Sequence, residues 1–393
     1  MKYLNDLNIK NKRVLLRVDY NVPIKNGIII DDFRIRSSLP TINYCLENGA
    51  SVIIMSHLSR PNGNIIPEMS LDPIAFHLEE LLDREVLFSD NCISDDAISL
   101  SLQMKTGEIH LLENLRFYNA EIENDNEFSK LLSTHGDIYI NDAFGTAHRT
   151  HASNVGVPTI LKDKGAGFLI KKEIKYLVDE INKSIKPSVL VLGGSKISDK
   201  ISLIFKMLER IDFIIIGGAM AFTFLKSIGK NIGGSFYEKS CLKIAKEILD
   251  KAKLFNTKIL LPVDVVASEV IKNNSDFRVV EIDDLNYNEL GLDIGPQTCI
   301  LFQEILNTAK LIVWNGPMGV SEIPAFSTGT QSIASTISAK TDEGSISIIG
   351  GGDTASTIKD FAVTGSFSHI STGGGSSLKL LSGDLLPAIE ALY

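Results

Sequence analysis

Short apolar runs rich in β-branched residues alternate with longer stretches of helical periodicity along almost the whole chain. The runs are typical of buried strands, and the longer stretches place apolar residues three and four positions apart, as on one face of a helix. Such alternation predicts βαβ units, and hence parallel sheets with helices on both faces. The predicted strands are Val14–Val18, Ser51–Met55, Glu108–Leu112, Asp137–Ile140, Ser188–Leu192, Phe213–Ile216, Lys258–Pro262, Leu311–Trp314, Ser345–Ile349 and Phe367–Ile370. The predicted helices include Ser37–Asn48, Pro73–Asp83, Asn126–Ser133, Ser198–Glu209, Ser240–Phe255 and Gly329–Ser338.

The residues that follow the predicted strands differ between the two halves of the chain. Ligands of parallel α/β sheets bind beyond the carboxyl ends of the strands, so these positions are candidates for function. Several arginines at one end of a sheet predict a pocket for a small polyanion, because guanidinium groups match carboxylate and phosphate. A solvated salt bridge is the alternative for any single arginine. The first-half candidates are Asp19, Asn21, Arg34, His57, Arg60, Arg116, His148, Arg149 and His151.

Glycine occupies the strand ends of the second half. Two triple-glycine turns, Gly350–Gly352 and Gly373–Gly375, each follow an apolar run and precede a possible helix. Such a turn exposes backbone N–H groups at the positive end of a helix, which suits phosphate. Two of them close together predict a polyphosphate, and Asp353 could hold its metal ion. Tight turns with a purely structural role are the alternative.

Two lysines follow another glycine turn, Gly193–Gly194. Lys196 and Lys200 are four residues apart, so on a helix they would share one face and could both point at a phosphate chain. Two solvated surface lysines are an equal alternative. The chain lacks the Walker A motif and a G-x-G-x-x-G motif after a strand, which argues against a P-loop protein and a dinucleotide-binding protein.

A helical stretch joins the two halves. Apolar residues recur at helical spacing in Phe168–Lys186, up to the break at Lys186–Pro187. This predicts a linker helix, with an ordinary packing helix inside one domain as the alternative. The final stretch, Asp384–Tyr393, is short and apolar and must dock somewhere.

Composition narrows the class of protein. The chain has 393 residues, 44% of them hydrophobic, and a net charge of −9, which argues against general nucleic-acid binding. An uninterrupted apolar run of membrane-spanning length and a signal peptide are both missing, so we expect a cytoplasmic protein. The four scattered cysteines indicate neither a zinc site nor a disulfide framework.

Eight ordered motifs cover nearly the whole chain. In the first half they are Arg17–Pro23, Ser56–Pro61, Glu113–Phe117 and Asn141–Arg149. In the second half they are Gly193–Lys200, Trp314–Glu322, Gly350–Thr354 and Ser371–Gly375. In this order they resemble the motifs of the phosphoglycerate kinase family. Three residues depart from the usual family pattern: Ser59 replaces a glycine, Ser321 replaces an aromatic residue before Glu322, and Tyr20 replaces Phe or Leu.

The resemblance implies an α/β architecture of two doubly wound, Rossmann-like domains with parallel six-stranded sheets. Residues 1–168 would bind 3-phosphoglycerate, 169–186 would form the interdomain helix, and 187–383 would bind Mg-nucleotide. Residues 384–393 would pack back on the first domain. The protein would be a monomer that closes by hinge bending.

The resemblance also assigns residues to each ligand. The glycerate contacts fall on Asp19, Asn21, Arg34, His57, Arg60, Arg116 and Arg149. The nucleotide contacts fall on Lys196, Lys200, Gly295, Glu322, Gly351, Gly352, Asp353 and Thr354, with Asp353 near Mg²⁺. Neutralisation of the transferring group is expected from Mg²⁺ and from Arg34, Lys196, Lys200 and the N–H groups of Gly373, Gly374 and Gly375.

The expected reaction is glycolytic, reversible phosphoryl transfer between 1,3-bisphosphoglycerate and ADP on one side and 3-phosphoglycerate and ATP on the other. A carboxylate nucleophile is already ionised at neutral pH, so no general base is required. Two alternatives are a nicotinamide dehydrogenase, which the missing G-x-G-x-x-G disfavours, and an inactive nucleotide-binding scaffold, which the retained Lys, Arg and Asp residues disfavour.

Overall fold

A computed structural model describes residues 1–361 and 365–393, apart from the side chains of Asp353 and Asp360. The chain divides into two compact units. The first unit comprises Met1–Lys175 together with Leu385–Tyr393, and the second comprises Tyr176–Asp384. Helical backbone runs over 168–182, so the predicted linker contributes residues to both units.

The first unit is built on a parallel six-stranded sheet in the order β5-β6-β4-β1-β7-β8. Arg17, the last residue of β1, lies in register with Met55 of β4 and Asn141 of β7, so these three strands end at the same edge. A small antiparallel hairpin, β2–β3, stands apart from the sheet. The strands are β1 (Arg13–Arg17), β2 (Ile24–Lys25), β3 (Ile28–Ile29), β4 (Ser51–Met55), β5 (Val86–Ser89), β6 (Ile109–Leu112), β7 (Ile138–Asn141) and β8 (Lys164–Ala166).

Helices and short helical turns connect these strands. The first-unit helices are α1 (Phe33–Glu47), α2 (Asp72–Leu82), α3 (Asp95–Gln103), α4 (Asn119–Ile122), α5 (Asn126–Ser133), α6 (Val157–Ile160) and α7 (Phe168–Ile174). The 3₁₀ turns are Leu4–Asp6, Pro67–Met69, Leu115–Phe117 and Phe144–Thr146, and Ala152–Gly156 and Lys175–Glu180 are π-helical.

The second unit is built on another parallel six-stranded sheet, in the order β11-β10-β9-β15-β16-β17. A three-stranded antiparallel sheet, β13-β12-β14, accompanies it. Asn315, at the end of β15, lies in register with Leu192 and Gly350, so the glycine turns that follow these strands also share one edge. The strands are β9 (Ser188–Leu192), β10 (Phe213–Ile216), β11 (Lys258–Leu260), β12 (Asp264–Ser268), β13 (Arg278–Glu281), β14 (Leu290–Ile294), β15 (Leu311–Asn315), β16 (Ile346–Gly350) and β17 (His369–Ile370).

The second-unit helices are α8 (Ile201–Met207), α9 (Met220–Ser227), α10 (Leu242–Leu254), α11 (Pro296–Thr308), α12 (Thr328–Asp342), α13 (Gly352–Asp360) and α14 (Gly375–Leu381). The 3₁₀ turns here are Lys239–Cys241, Ile282–Asp284 and Pro324–Phe326. The last helix, α15 (Pro387–Glu390), belongs to the first unit, where the Ala388 N–H donates to the Ala147 carbonyl at 3.1 Å.

The central strands carry the cores of both units. All five residues of β4, β9 and β15 are buried, because helices cover both faces of each sheet. Each fully buried Val, Leu or Ile contributes about 1.5–3 kcal/mol relative to an exposed one. The two α/β units with parallel six-stranded sheets confirm the predicted fold class. Within the described part of the chain, no helix combines the length and apolar character needed to cross a bilayer.

The linker helix is anchored at its start by the first unit. The buried Asp142 carboxylate, just after β7, accepts hydrogen bonds from the Thr41 hydroxyl at 2.6 Å and the Ile170 N–H at 3.1 Å. The Thr41 oxygen in turn accepts from the Phe168 N–H at 3.0 Å. A side chain at Gly167 would place its Cβ 2.3 Å from the Asp142 carboxyl, so the close approach requires glycine.

Candidate functional site

The first-unit candidates gather at the shared edge where β1, β4, β6 and β7 end. Asp19 is nearly buried, and its carboxylate accepts from Arg34 Nη1 at 3.0 Å and from the Asn21 N–H at 3.2 Å. Arg34 Nη1 also donates to the Asn21 carbonyl at 3.1 Å. Arg34 therefore lies on the first-unit edge with its guanidinium oriented by two neighbours, and its side chain is 29% exposed.

The loop after β4 joins two of these candidates through Ser59. The Ser59 N–H donates to Asn21 Oδ1 at 2.9 Å, and the Ser59 carbonyl accepts from Arg116 Nη1 at 2.6 Å. Ser59 has a left-handed backbone, with φ of 57°. This conformation favours glycine and costs a residue with a side chain roughly 1–2 kcal/mol. The position thus suits the glycine of the family pattern, and Ser59 adopts the same conformation at a cost.

We expect the substitution Ser59→Gly to raise the free energy of unfolding by about 0.5–1 kcal/mol. Relief of the left-handed strain exceeds the extra backbone entropy that glycine gains in the unfolded chain. Urea denaturation of the variant and the parent protein measures the difference. A lower stability of the variant would show instead that the Ser59 side chain supports the loop.

Arg116 and Arg149 carry buried donors that none of the described residues satisfies. Arg116 is 3% exposed, yet its Nε and Nη2 have no hydrogen-bond partner among the described residues, and the same holds for Arg149 Nε. Burial, then Arg149 and Arg17, lower the pKa of Arg116 to about 10, so it remains charged at neutral pH. Buried donors of this kind normally have partners, so these point to an anionic ligand.

The histidines of this edge do not supply its charge. Burial first, and then the surrounding arginines, hold the pKa of His57 well below its usual range. Burial and the same arginines lower the pKa of His151 to about 3. Both imidazoles are therefore neutral near pH 7. Of the other two candidates, His148 is half-buried and Arg60 is exposed.

Three buried residues that were not among the predicted site residues also shape this edge. Asn114 accepts from the Leu58 and Arg116 N–H groups, at 3.1 and 3.0 Å, and so fixes the loop that carries both. Arg17 and Glu121 are completely buried and lie 4.0 Å apart. Glu121 sits in an acidic, surface-like stretch, so only the fold shows that it is buried.

In the second unit, the turn at Gly350–Thr354 runs from the end of β16 into α13, as predicted. Gly351 has φ of 98°, which favours glycine, and a Cβ on Gly352 would meet nothing within 4 Å. The buried Thr354 hydroxyl accepts from the Gly316 N–H at 2.8 Å and so ties this turn to the one after β15. The Asp353 side chain lies outside the described residues.

The turn at Gly373–Gly375 runs from β17 into α14. The Gly373 N–H is already engaged, because it donates to Ser371 Oγ at 3.1 Å. Gly374 has φ of 45°, and a Cβ there would meet nothing within 4 Å. The open amides of this turn are therefore those of Gly374 and Gly375, for which the described part of the chain provides no acceptor.

The predicted helical placement of the two lysines is wrong. Helix α8 begins at Ile201, so Lys196 and Lys200 lie in the preceding loop and not on one helical face. The reason is Glu238, whose carboxylate accepts from the Ile197 N–H at 2.6 Å and the Ser198 N–H at 3.1 Å. Lys196 is exposed, whereas Lys200 is buried, with its Nζ 3.5 Å from the position that a Cβ on Gly194 would occupy.

Residues 4–384 match the phosphoglycerate kinase family model. The chain belongs to the phosphoglycerate kinase family. It is 49% identical over 390 residues to a phosphoglycerate kinase from Thermosipho africanus, with 99% of this chain and 97% of that protein covered. It is 46% identical over 391 residues to one from Chloroherpeton thalassium, with 100% and 98% covered.

A solved structure agrees with this family. The phosphoglycerate kinase from Coxiella burnetii has a TM-score of 0.88 and 40% sequence identity, covering 100% of this chain and 98% of that one. The family membership confirms the resemblance noted in the sequence and the prediction of an enzyme. It also excludes the alternative that the protein is a nicotinamide dehydrogenase.

Other positions that the family resemblance assigns to the nucleotide have local structural roles or exposed side chains. Gly295 is buried at the start of α11, where a Cβ would lie 2.3 Å from the Asp264 carboxyl group. Glu322 is exposed. Ser321, which departs from the phosphoglycerate kinase pattern, is hydrogen bonded to the Thr357 hydroxyl of α13 at 3.1 Å. Ser321 is thus hydrogen bonded to the helix that follows the first triple-glycine turn.

Proposed function

We propose that the protein catalyses reversible phosphoryl transfer between 1,3-bisphosphoglycerate and ADP on one side and 3-phosphoglycerate and ATP on the other. The observation that carries this proposal is the set of buried, unpaired guanidinium donors on Arg116 and Arg149. A small dianion supplies their missing acceptors, and the glycerate substrate carries both a phosphate and a carboxylate. Family membership supplies the identity of that anion.

The proposed glycerate site lies in the first unit. Its phosphate would bind among the arginines, and its hydroxyl and carboxyl groups would bind near Asp19, Asn21 and His57. Arg34 is the cation closest to Asp19, so it is the candidate for neutralising charge at the reacting carboxyl end. The full set is Asp19, Asn21, Arg34, His57, Arg60, Arg116 and Arg149.

The proposed nucleotide site lies in the second unit, at the shared edge of the glycine turns. Open amides at Gly351 and Gly352, at the start of α13, suit the phosphates. Lys200 supplies a buried positive charge at the Gly193–Gly194 turn. The set also includes Lys196, Gly295, Glu322, Asp353 and Thr354.

The chemistry requires positioning and charge neutralisation rather than a proton acceptor. The attacking carboxylate is ionised at neutral pH, and phosphoryl transfer is accelerated mainly by alignment and by cations at the transferring group. We infer that Arg34, Lys196, Lys200 and the Gly373–Gly375 turn perform this neutralisation. In that turn, the donors would be the amides of Gly374 and Gly375, since the Gly373 N–H is bonded to Ser371.

Mg²⁺ is expected to enter with the nucleotide. Among the residues that the structure describes, no group of three or more His, Cys, Asp or Glu side chains could hold a metal ion by itself. Mg²⁺ in kinases is held by one or two carboxylates together with substrate phosphates and water, so one carboxylate beside an open phosphate-binding turn suffices. Asp353 occupies that position in the chain, directly after Gly352. When bound, the ion neutralises phosphate charge.

The substitution Asp353→Ala is expected to weaken Mg-ATP binding at least tenfold and to leave 3-phosphoglycerate binding unchanged, because the two ligands bind to different units. Titration calorimetry of each ligand measures both affinities. ATP binding without Mg²⁺ provides the control, since it should change little in the variant. Equal Mg-ATP affinity of variant and parent would remove Asp353 from the metal site.

A coupled assay with ATP, Mg²⁺ and 3-phosphoglycerate tests the proposed reaction directly. We expect formation of 1,3-bisphosphoglycerate, detected through its reduction by a coupling dehydrogenase and NADH. ATP binding without turnover would favour the inactive scaffold. Turnover of ATP that does not depend on 3-phosphoglycerate would exclude the proposed substrate.

Transfer between ligands held by different units requires that the units bring them together. We infer that the two units close about the helical segment 168–182 when both ligands are bound, which also excludes water. Small-angle scattering should then show a smaller radius of gyration with 3-phosphoglycerate and a non-hydrolysable ATP analogue than with either alone. An unchanged radius would contradict closure, and the forward scattering intensity tests the expected monomer.

A further inference from the structure

Arg17, the last residue of β1, is completely buried beneath the glycerate edge and all of its groups have specific neighbours. Its Nε donates to Ser153 Oγ at 2.7 Å, and its Nη1 donates to the Val18 carbonyl. Its Nη2 lies 3.2 Å from His57 Nδ1 and 4.0 Å from Glu121 Oε1. Arg17 thus contacts the site through His57.

Glu121 and Ser153 hold Arg17 in this position. The Ser153 hydroxyl and N–H donate to the two Glu121 oxygens, at 2.6 and 2.9 Å. The Ser153 oxygen is therefore left to accept from Arg17. Glu121 supplies the negative charge that a completely buried guanidinium needs. The triad is satisfied internally, so it holds Arg17 rigidly without a ligand.

The proton positions on His57 follow from this arrangement. A guanidinium group has only donors, so His57 Nδ1 must accept through its lone pair. A neutral imidazole carries one proton, which is then on Nε2. Nε2 lies 3.8 Å from Asp19 Oδ1, too far for a direct hydrogen bond. Its N–H is therefore free for an acceptor atom of a bound ligand.

We propose that Arg17 is a positioning residue that fixes His57 as a neutral imidazole with its proton on Nε2, directed toward the glycerate substrate. The proposal depends on the proposed function only for the identity of the substrate. His57 then acts as a constant hydrogen-bond donor and contributes no pH-dependent charge to substrate binding.

The surroundings of His57 disfavour a second proton. Among the described residues, the charged groups near it include the cations Arg17, Arg34, Arg116 and Arg149 and the anion Asp19. Its side chain is 3% exposed, so water screens these charges little. A proton on Nδ1 would also point directly at the Arg17 N–H groups. Geometry and charge therefore favour the same neutral tautomer.

Nitrogen NMR of the ligand-free protein tests the tautomer without any assay. Protein labelled with ¹⁵N in histidine should show His57 Nδ1 unprotonated and Nε2 protonated, and this pattern should stay constant from pH 8 to pH 5.5. A protonated Nδ1, or titration of His57 within this range, would overturn the proposal. Because no substrate is present, this result is independent of whether the proposed reaction is correct.

A double variant tests whether Arg17 causes this behaviour. Arg17→Met combined with Glu121→Gln removes both buried charges, so neither is left unpaired. We expect His57 to titrate above pH 5.5 in this variant. We also expect KM for 3-phosphoglycerate to rise about tenfold and to become pH-dependent, while kcat changes little. Arg13→Met, on the same strand but paired with Asp137 at 2.7 Å, is the matched control.

The outcomes separate a positioning role from a merely structural one. Loss of activity with an unchanged His57 tautomer and an unchanged pH profile would mean that Arg17 only supports the fold, which contradicts the proposal. If the double variant does not fold, Ser153→Ala removes the hydroxyl that contacts both Arg17 Nε and Glu121 Oε1 and keeps both charges. The same change in His57 titration is then expected at smaller size. An unaltered His57 in that folded variant would also overturn the proposal.

Discussion

The substitution Arg34→Ala is expected to lower kcat of the proposed reaction about 10³-fold while leaving the first unit folded. Preorganised cations at developing charge contribute several kcal/mol to transition-state stabilisation, and a factor of 10³ corresponds to about 4 kcal/mol. Arg34 Nη1 donates to Asp19 Oδ2 and to the Asn21 carbonyl. Its Nε and Nη2 have no acceptor among the described residues, so they can bind a reacting carboxyl or phosphoryl oxygen.

The fold should tolerate this change, because Arg34 is partly exposed near the start of α1. The Asp19 carboxylate would still accept a hydrogen bond from the Asn21 N–H. Arg36→Ala is the matched control: Arg36 lies on the same helix, and its side chain is 58% exposed and paired with Asp32 at 2.8 Å. We expect normal kcat for the control and thermal unfolding within a few degrees of the parent for both. Normal turnover in Arg34→Ala would show that the charge stabiliser lies elsewhere.

The positions of the candidate residues could be predicted because the strands that carry them are buried on both faces. Residues such as Val52–Met55 of β4 are apolar without interruption, so the strand and its end are visible in the sequence. Parallel strands of one sheet end at the same edge, which is why Asp19, His57 and Arg116 come together although they are far apart in the chain. Their individual roles remain predictions.

Elements that depend on distant contacts could not be predicted. Strand β13 has three exposed residues among its four, so it shows no alternation, and its sheet with β12 and β14 was missed. The start of α8 depends on Glu238, which binds the amides of Ile197 and Ser198 from about 40 positions further along the chain. The local sequence pattern predicts a helix from Ser198. In the structure the Ile197 and Ser198 N–H groups bind Glu238 instead, and the helix begins at Ile201.

The burial of charged side chains also could not be predicted from the sequence. Arg17 and Glu121 look like ordinary strand-end and helix-surface residues, yet both are completely buried. Likewise, nothing in the run Gly373–Gly375 indicates that its first amide is taken by Ser371. Such hydrogen bonds determine which donors remain for a ligand. They depend on the three-dimensional positions of side chains, which the sequence pattern does not show.

The substitution Lys200→Ala is expected to lower kcat at least 10²-fold and to weaken ATP binding by less than tenfold. Lys200 is buried beside the Gly193–Gly194 turn, where a single positive charge stabilises charge on a transferring phosphoryl group more than it stabilises bound ATP. Stopped-flow or steady-state kinetics gives kcat, and calorimetry gives the affinity for Mg-ATP.

The structure allows this effect to be separated from a loss of folding. Lys200 is the residue before α8, and its side chain makes no capping hydrogen bond to that helix. Lys246→Ala removes an exposed lysine from α10 and should leave kcat, affinity and stability unchanged. A proportional fall of kcat and ATP affinity would assign Lys200 to ground-state binding. A normal kcat would remove it from the transfer step altogether, leaving Arg34, Lys196 and the open amides of Gly374 and Gly375 as the protein groups that neutralise the phosphoryl group.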